Sequence, residues 1–211
     1  MDEDPSLLER WRAGDAAAGE LLFARHFPGL YRFFAGKVTR DIDDLIQKTL
    51  LACVEGRDRF RGEGQASFRS YLYGIARHML YGHYRRHAND RIDVLETSLE
   101  DLAPSPSQVV DGAAAERVLA AGLRRIPVDA QVLLELHYWE GMSHQELADA
   151  MEVTLGVVKG RLARAKQQLR TQINQLQALG PVVQSEDALE LDRWVASLPR
   201  PVLVPAPVRD S

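Results

Sequence analysis

The chain has 211 residues and a formal net charge of −4 at pH 7. This length allows one large or two small domains, and the weak negative charge excludes a protein that coats nucleic acid nonspecifically. The single cysteine, Cys53, excludes an internal disulfide and fits a reducing compartment. We expect its small side chain to be buried. The acidic start and the lack of an apolar run of about 18 residues predict a cytoplasmic protein without membrane insertion.

Helical periodicity dominates the first part of the chain, from Ser6 to Arg86. Apolar residues recur there every three to four positions and predict three or four short helices packed as a bundle. A glycine-containing stretch over 57–67 interrupts them, and we expect an exposed loop there. From position 92 the acidic residues are unopposed by Lys or Arg, and prolines follow, which predicts an extended acidic linker.

The stretch 143–169 predicts a helix-turn-helix, a motif that places its second helix in the DNA major groove. Apolar stripes at helical spacing mark both helices, and Thr154 lies where the N-cap of the second helix is expected. This second helix carries five basic residues and no acidic one: Lys159, Arg161, Arg164, Lys166 and Arg170. A phosphate backbone would be attracted to this face, although a solvated basic face is the structural alternative.

The composition changes again after residue 179. Four apolar residues share one face of a short predicted helix: Leu191, Trp194, Val195 and Leu198. Ser185 would cap this helix, and the prolines after it exclude a continuation. We therefore predict an all-α protein with helical domains over 1–91 and 113–178, an acidic linker over 92–112 and a C-terminal extension over 179–211. Docking on the second domain, on a regulator or on another partner stays open for the extension, as does disorder.

Each half of the chain contains its own set of short motifs. The first half contains DLIQ at 44–47, RFRG at 59–62 and FRSYLYGIAR at 68–77. The second half contains LLEL at 133–136, YWEGMS at 138–143, ELA at 146–148 and GVVKGRLARA at 156–165. In this order, with an acidic linker between them, the motifs resemble the sigma-70 family of bacterial RNA polymerase initiation factors, in the small extracytoplasmic-function group that keeps only regions 2 and 4. The resemblance implies a protein that binds core polymerase, recognises −10 and −35 promoter elements and helps to melt the promoter.

In the family, the helix that carries the DLIQ motif docks on a coiled-coil helix of the polymerase clamp. The resemblance therefore implies a polymerase-binding surface formed by Asp41, Asp43, Asp44, Gln47 and Lys48. Carboxylates and amides there can pair with arginines of the partner; the structural alternative is that the acids only complement the helix dipole. Lys48 stands where the family usually has Glu, and phosphorylation of Thr49 beside it would restore negative charge.

The resemblance also implies that the first domain holds flipped and melted −10 bases in loop pockets and on aromatic rings. The implied residues lie in a loop and in the helix after it: Phe60, Arg61, Gly62, Ser67, Tyr71, Arg77, His78, Tyr81, Tyr84, Arg85 and Arg86. No acid occurs over 69–87, which suits an anionic strand. Phe68 and Tyr71 have the spacing of core residues, so we expect Tyr81 and Tyr84 to be the better stacking candidates. His78 stands where the family tends to have Asn.

The predicted −35 contacts come from seven residues of the helix-turn-helix: Thr154, Lys159, Gly160, Arg161, Ala163, Arg164 and Arg170. Lys159 and Arg164 can reach guanine edges, whereas Arg161, Lys166 and Arg170 can hold phosphates, which position the helix without specifying a sequence. The small outer side chains let the helix backbone approach DNA closely.

Two other functions remain open from the sequence. A helix-turn-helix regulator that does not bind polymerase would use its first domain to dimerise or to sense a ligand, against which the motifs at 44–47 and 59–62 argue. A nuclease would need Asp41, Asp43 and Asp44 as a divalent-metal cluster, but no acidic or histidine partner is evident for them.

A metal site is a further alternative, because His83 and His87 are spaced i, i+4 on one predicted helix. The sequence shows no nearby carboxylate or cysteine to complete a tetrahedron, so we expect no metal. We also expect no catalytic residue and no cofactor. The expected partners are core RNA polymerase and promoter DNA. Because sigma factors of the resembled group are commonly held by anti-sigma proteins, the resemblance implies a partner of that kind as well.

Overall fold

The computed structural model describes residues 4–38, 40–57, 67–87, 92–102, 114–177 and 188–201. Within these ranges the backbone forms ten helices and no strand, which confirms the all-α class. The helices are α1 (Asp4–Arg12), α2 (Ala16–Ala35), α3 (Ile42–Gly56), α4 (Phe68–His87), α5 (Leu99–Leu102), α6 (Ala114–Arg125), α7 (Val128–Tyr138), α8 (His144–Met151), α9 (Leu155–Gln177) and α10 (Ala188–Ser197).

The first four helices form the bundle that the apolar periodicity predicts. α2 begins where Asp15 accepts a hydrogen bond from the backbone N–H of Ala18. Trp11 of α1 packs so closely on α2 that a Cβ at Gly19 would lie 2.4 Å from the indole ring. The core of the bundle contains Leu22, Leu30, Phe33, Phe34, Leu45, Leu72 and Leu80. Their burial fixes α3 and α4, which carry the predicted polymerase and −10 residues.

The start of the predicted linker is folded rather than extended. It contains α5, and Leu99 of this helix is buried. The backbone oxygen of Thr97 accepts a 2.9 Å hydrogen bond from the N–H of Val128, at the start of α7. The first turn of a helix leaves its N–H groups without intrahelical partners. The N–H of Val128 is therefore available to the linker, and this hydrogen bond ties the start of the linker to α7. The expectation of an extended linker is therefore wrong for 92–102, and the later part of the linker lies outside the described residues.

Helices α6 to α9 form the second bundle. α6 and α9 approach so closely that a Cβ at Gly122 would lie only 3.2 Å from the side chains of Leu169 and Ile173. Pro127 occupies the N-cap of α7. Gly141 has a φ of +62° in the turn before α8, a left-handed conformation that glycine adopts without steric cost.

The C-terminal extension folds back onto the second bundle. Leu191 and Val195 of α10 are buried, and Trp194 and Leu198 pack on the same core. This confirms the apolar face that the sequence predicts for a short helix. The predicted cap at Ser185 lies outside the described residues.

The two bundles pack against each other through α4 and α8, which we call the closed arrangement. Gly74 of α4 faces the backbone of α8, and a Cβ there would lie 3.4 Å from the carbonyl oxygen of Ala150. Buried apolar residues of both bundles form one continuous core. Nothing in the apolar periodicity predicts this packing, because periodicity locates a buried face but not the surface that covers it.

Candidate nucleic-acid and polymerase interfaces

The helix-turn-helix is formed by α8 and α9. α8 begins with a capping box, in which Ser143 accepts from the backbone N–H of Glu146 and the Glu146 carboxylate accepts from the backbone N–H of Ser143. Glu152 is the C-cap of α8, and its left-handed conformation closes the turn. The hydroxyl of Thr154 accepts a 3.4 Å hydrogen bond from the backbone of Val157, as predicted for an N-cap. These contacts set the direction in which α9 leaves the turn.

α9 has one buried and one exposed side. The predicted apolar stripe is buried: Val158, Leu162, Ala165 and Leu169. Five of the predicted −35 residues are exposed: Thr154 at the N-cap of α9, and Lys159, Gly160, Ala163 and Arg164 on its exposed side. The other two, Arg161 and Arg170, are half-buried. A Cβ at Gly160 would meet nothing within 4 Å, so the helix backbone is open to solvent there.

Two basic residues of α9 are paired with carboxylates of the same chain. Arg161 Nη1 lies 3.5 Å from Asp129 Oδ2, and Lys166 Nζ lies 2.9 Å from Asp192 Oδ1. Partly exposed pairs of this kind contribute little to stability. They do direct both cations toward the protein, so a phosphate that bound either side chain would replace a carboxylate.

The second domain covers much of the α4 face that is predicted to contact the −10 strand. Ser67 Oγ donates a 2.7 Å hydrogen bond to Glu146, and the Tyr81 hydroxyl donates a 2.9 Å hydrogen bond to Asp129. His78 Nε2 lies 2.7 Å from a carboxylate oxygen of Glu152, and Arg77 lies 3.5 Å from the same side chain. In the closed arrangement all of these predicted −10 residues are engaged by the second domain.

Tyr84 is buried, and its hydroxyl is bound within the first domain. Its hydroxyl donates a 2.7 Å hydrogen bond to the backbone oxygen of Lys37, and burial raises the pKa of Tyr84. The expectation that Tyr81 and Tyr84 are better placed for stacking than Tyr71 is therefore wrong for this arrangement, since both are buried and Tyr71 is half-buried. Phe68 is buried, as its spacing allows.

The remaining predicted −10 residues fall into two groups. Arg85 and Arg86 are exposed in the last turn of α4. Phe60, Arg61 and Gly62 lie outside the described residues. Contact of any of these side chains with DNA stays a prediction.

The predicted polymerase-binding residues are all exposed at the start of α3: Asp41, Asp43, Asp44, Gln47 and Lys48. Lys48 Nζ lies 2.6 Å from Asp44 Oδ2 one turn away, so it partly neutralises this surface. Thr49 is fully buried, and its hydroxyl donates a 2.7 Å hydrogen bond to the backbone oxygen of Leu45. The hypothesis that Thr49 is phosphorylated is therefore wrong, because the hydroxyl lies inside the bundle.

Asp41 also approaches two histidines of α4. Its Oδ2 lies 3.9 Å from His83 Nδ1 and 4.0 Å from His87 Nε2. The premise that these histidines have no carboxylate nearby is therefore wrong. Asp41 is distant from them in the chain, and only the packing of α3 on α4 brings the three side chains together.

A buried ionic network joins the two domains to the C-terminal segment. Lys37 Nζ lies 2.5 Å from Glu135 Oε2, and Arg200 donates to Glu135 at 2.5 Å and to Glu140 at 2.7 Å. Burial, opposed by the charge of Glu135, lowers the pKa of Lys37 to about 8. Burial acts to raise the pKa of Glu135, but the charges of Lys37 and Arg200 leave it lowered. The one sequence signal for this network is a glutamate inside the apolar run LLEL at 133–136.

Two packed helical bundles, one with an exposed acidic helix start and one with a basic helix-turn-helix, define a two-domain DNA-binding protein. The family model for sigma-70 region 2 matches residues 22–89, and the model for sigma-70, region 4 matches residues 117–169. The chain is 27% identical over 186 residues to an ECF RNA polymerase sigma-E factor of Haemophilus influenzae, covering 82% of this chain and 96% of the relative. It is 24% identical over 185 residues to the factor of that name in Escherichia coli K12, covering 82% and 95%. The chain belongs to the sigma-70 family of RNA polymerase initiation factors, in its extracytoplasmic-function group.

Two solved structures share the fold. The sigma factor RpoE of Bartonella quintana, in complex with the anti-sigma factor NepR, has a TM-score of 0.54 at 20% identity and covers 74% of this chain and 96% of its own. CnrH, in complex with the cytosolic domain of CnrY, has a TM-score of 0.57 at 23% identity and covers 85% and 100%. Among the described residues, no helix is both long and apolar enough to cross a membrane.

Proposed function

We propose that this sigma factor binds core RNA polymerase through the start of α3 and directs initiation through −10 contacts of the first domain and −35 contacts of the second. The observation that carries the proposal is the presence of both sigma regions in one chain, with Asp43, Asp44 and Gln47 exposed on the first. The role is one of binding and needs no catalytic residue. Because its partner is RNA polymerase, the chain would act in the cytoplasm.

The proposed −35 contact rests on the exposed side of α9. Lys159 and Arg164 point away from the buried stripe, toward the side that would face DNA. Each good bidentate contact with a guanine contributes about 1 to 3 kcal/mol. Gly160 and Ala163 lie between them and leave room for a close approach of the helix to DNA. Arg161 and Arg170, at the edges of this face, would hold phosphates.

The proposed −10 contact requires the two domains to separate. In the closed arrangement Arg77 and Tyr81 are each only 8% exposed, so a DNA strand has no access to them. A ligand that binds only the open form shifts the equilibrium by its differential affinity for the two forms. Core polymerase, by holding the two domains apart, would supply that difference. The isolated chain should therefore bind promoter DNA poorly.

An anti-sigma protein is the further partner that we propose. The Bartonella relative was solved with an anti-sigma factor, and CnrH was solved with the cytosolic domain of another protein. Such a partner would act here by keeping the −10 face of α4 away from DNA, as α8 does in the closed arrangement.

Complex formation between the full chain and purified core RNA polymerase tests the proposal. The double variant Asp44→Ala, Gln47→Ala removes two exposed side chains without touching the bundle core, and we expect about a tenfold loss of affinity or more. Glu55→Ala, an exposed position at the other end of α3, is the matched control and should bind as the native chain does. A helix-turn-helix regulator of another class would bind promoter DNA and form no complex with polymerase, and that result would contradict the proposal.

A further inference from the structure

Three side chains of metal-ligand type meet where the start of α3 packs on the end of α4. They are Asp41, His83 and His87, and their ligand atoms all lie within 4.8 Å of one another. Asp41 Oδ2 is 3.9 Å from His83 Nδ1 and 4.0 Å from His87 Nε2. In a tetrahedral site with bonds of about 2.1 Å, ligand atoms lie about 3.4 Å apart. A closure of about an ångström would therefore bring the three groups onto one ion.

The hydrogen bonds of the cluster leave a ligand atom available on His87. Its Nδ1 lies 2.8 Å from the backbone oxygen of His83. Because a carbonyl oxygen only accepts, Nδ1 carries the proton of the neutral ring, and in that form Nε2, which faces Asp41, keeps its lone pair. Histidines that bind metals commonly have their second nitrogen fixed by an acceptor in this way.

Asp41 has an unusual backbone conformation for its position. It is the N-cap of α3, yet its side chain makes no capping hydrogen bond, and its φ is +64°. Left-handed φ values are uncommon for residues other than glycine, and an N-cap aspartate ordinarily accepts from a free N–H of the first turn. Here the carboxylate is directed to His83 and His87 instead.

We propose that Asp41, His83 and His87 bind one divalent transition-metal ion such as Zn²⁺, with a remaining position for water or for a partner's side chain. Two imidazole nitrogens and one carboxylate suit Zn²⁺ better than Mg²⁺ or Ca²⁺, which prefer oxygen ligands. The side chains of Asp41 and His87 are 49% and 60% exposed and free to adjust, whereas His83, at 12%, is held by the bundle. The ion would brace the start of α3 and so the surface proposed to bind polymerase. Only this effect on polymerase binding rests on the proposed function; the metal site itself does not.

Calorimetric titration of the untagged full chain with Zn²⁺ tests the site, with Co²⁺ absorption in the visible range as a second readout. We expect one equivalent to bind. His87→Gln, at an exposed helix end, and Asp41→Asn, whose side chain tolerates left-handed backbone, should each weaken binding about tenfold or more. His78→Gln, another exposed histidine of α4, is the control and should keep the site. No one-to-one binding by the native chain, or binding that survives both substitutions, would overturn the proposal.

A separate observation concerns the C-terminal segment 188–201. The side chain of Arg200 is only 10% exposed and binds Glu135 and Glu140 of the second domain. Glu135 also binds Lys37 of the first domain, and Glu140 approaches α2, where a Cβ at Gly29 would lie 3.0 Å from its Oε2. Arg200 therefore compensates two of the carboxylates through which the second domain faces the first.

Contacts of α10 and the residues after it anchor the segment. Asp192 accepts from the Tyr138 hydroxyl and lies 2.9 Å from Lys166 Nζ. The indole N–H of Trp139 donates a 3.1 Å hydrogen bond to the backbone oxygen of Leu198. Because these partners lie on α7, on its C-cap and on α9, the segment is fixed to the second domain and presents Arg200 to the interface.

We infer that the segment 188–201 is an intramolecular lock that favours the closed arrangement. Without Arg200, Glu135 and Glu140 would lose a shared cationic partner at the interface, and buried carboxylates with incomplete compensation disfavour that packing. Release of the segment would favour the separation that −10 contact requires. This regulatory consequence rests on the proposed function, whereas the effect of the lock on the packing of the two domains does not.

Distance measurement between spin labels on the two domains tests the lock in the full chain. Labels on Glu55→Cys and Gln167→Cys report the separation, since burial raises the pKa of Cys53 to about 12 and keeps it unreactive. Arg200→Gln should lengthen and broaden the distance distribution, while the control Arg193→Gln, exposed on α10, should leave it unchanged. An Arg200→Gln distribution that matches the native one would overturn the lock. No polymerase is used, so a failure here is distinguishable from a failure of the proposed function.

Discussion

Lys37 Nζ lies 2.5 Å from Glu135 Oε2, and the two residues belong to different domains. Their side chains are 0% and 3% exposed, so both charges have lost their hydration and depend on each other. A buried pair of this kind adds little net stability, but removal of one partner is costly because it leaves the other charge buried. The pair is therefore a sensitive probe of the closed arrangement.

Glu135→Gln should lower the free energy of unfolding by about 3 to 5 kcal/mol, because Lys37 and Arg200 lose the carboxylate that they share. Lys37→Met should cost less, since Glu135 keeps Arg200 and also the amide of Gln131 at 2.7 Å. Urea unfolding of both variants measures the difference. Equal losses, or the larger loss in Lys37→Met, would contradict this description of the network.

Glu146 should make the protein sensitive to acid. Burial opposes its ionisation, but hydrogen bonds from Ser143, Ser67 and Arg69 lower the pKa of Glu146 from 4.5 to about 2. Between these values the unfolded chain binds more protons than the folded one, so stability falls as the pH falls through this window. In urea unfolding at a series of pH values from about 5 to 2.5, Glu146→Gln should show a shallower loss than the native chain. Parallel curves would rule out this role.

Gly160→Ala should affect stability and DNA binding in opposite directions. Alanine is the better helix former by about 1 kcal/mol, and its Cβ would meet nothing within 4 Å, so thermal unfolding should shift upward. The added methyl group should weaken binding of the polymerase-bound chain to a −35 element, because the proposed contact brings this part of α9 close to DNA. Unchanged promoter affinity in a gel-shift titration would show that this side of α9 does not face the groove.

Arg164 and Arg161 should differ in the kind of binding that they support. Arg164→Ala should reduce discrimination between native and altered −35 elements by about 1 to 3 kcal/mol, because its exposed side chain can reach base edges. Arg161, held 3.5 Å from Asp129, is suited to a phosphate, and Arg161→Ala should weaken binding to both elements alike. Competition binding with polymerase-bound chain measures both effects, and the reverse pattern would exchange the two roles.

Features set by local spacing were predictable from the sequence. The stripe from Val158 to Leu169 and the N-cap at Thr154 follow from helical period and from side-chain chemistry within one turn. The family motifs predicted the two-domain organisation, because they combine such local patterns in a specific order. The apolar face of α10 was predictable for the same reason.

Features that depend on contacts between distant segments were not predictable. α4 packs on α2 and α3 and also on α8, so Tyr81 and Tyr84 are buried although a single amphipathic helix would expose one side. Asp41 meets His83 only through the packing of α3 on α4. Thr49 is adjacent to exposed Lys48, yet it faces the interior because neighbouring positions on a helix point in different directions.

Run-off transcription with purified core RNA polymerase on a library of promoter fragments tests the central claim most directly. We predict transcripts that depend on the chain, start from fragments sharing −10 and −35 elements, and disappear with Asp44→Ala, Gln47→Ala at limiting concentration. Promoter binding by the chain with no polymerase-dependent transcript from any fragment would contradict the claim that it directs initiation.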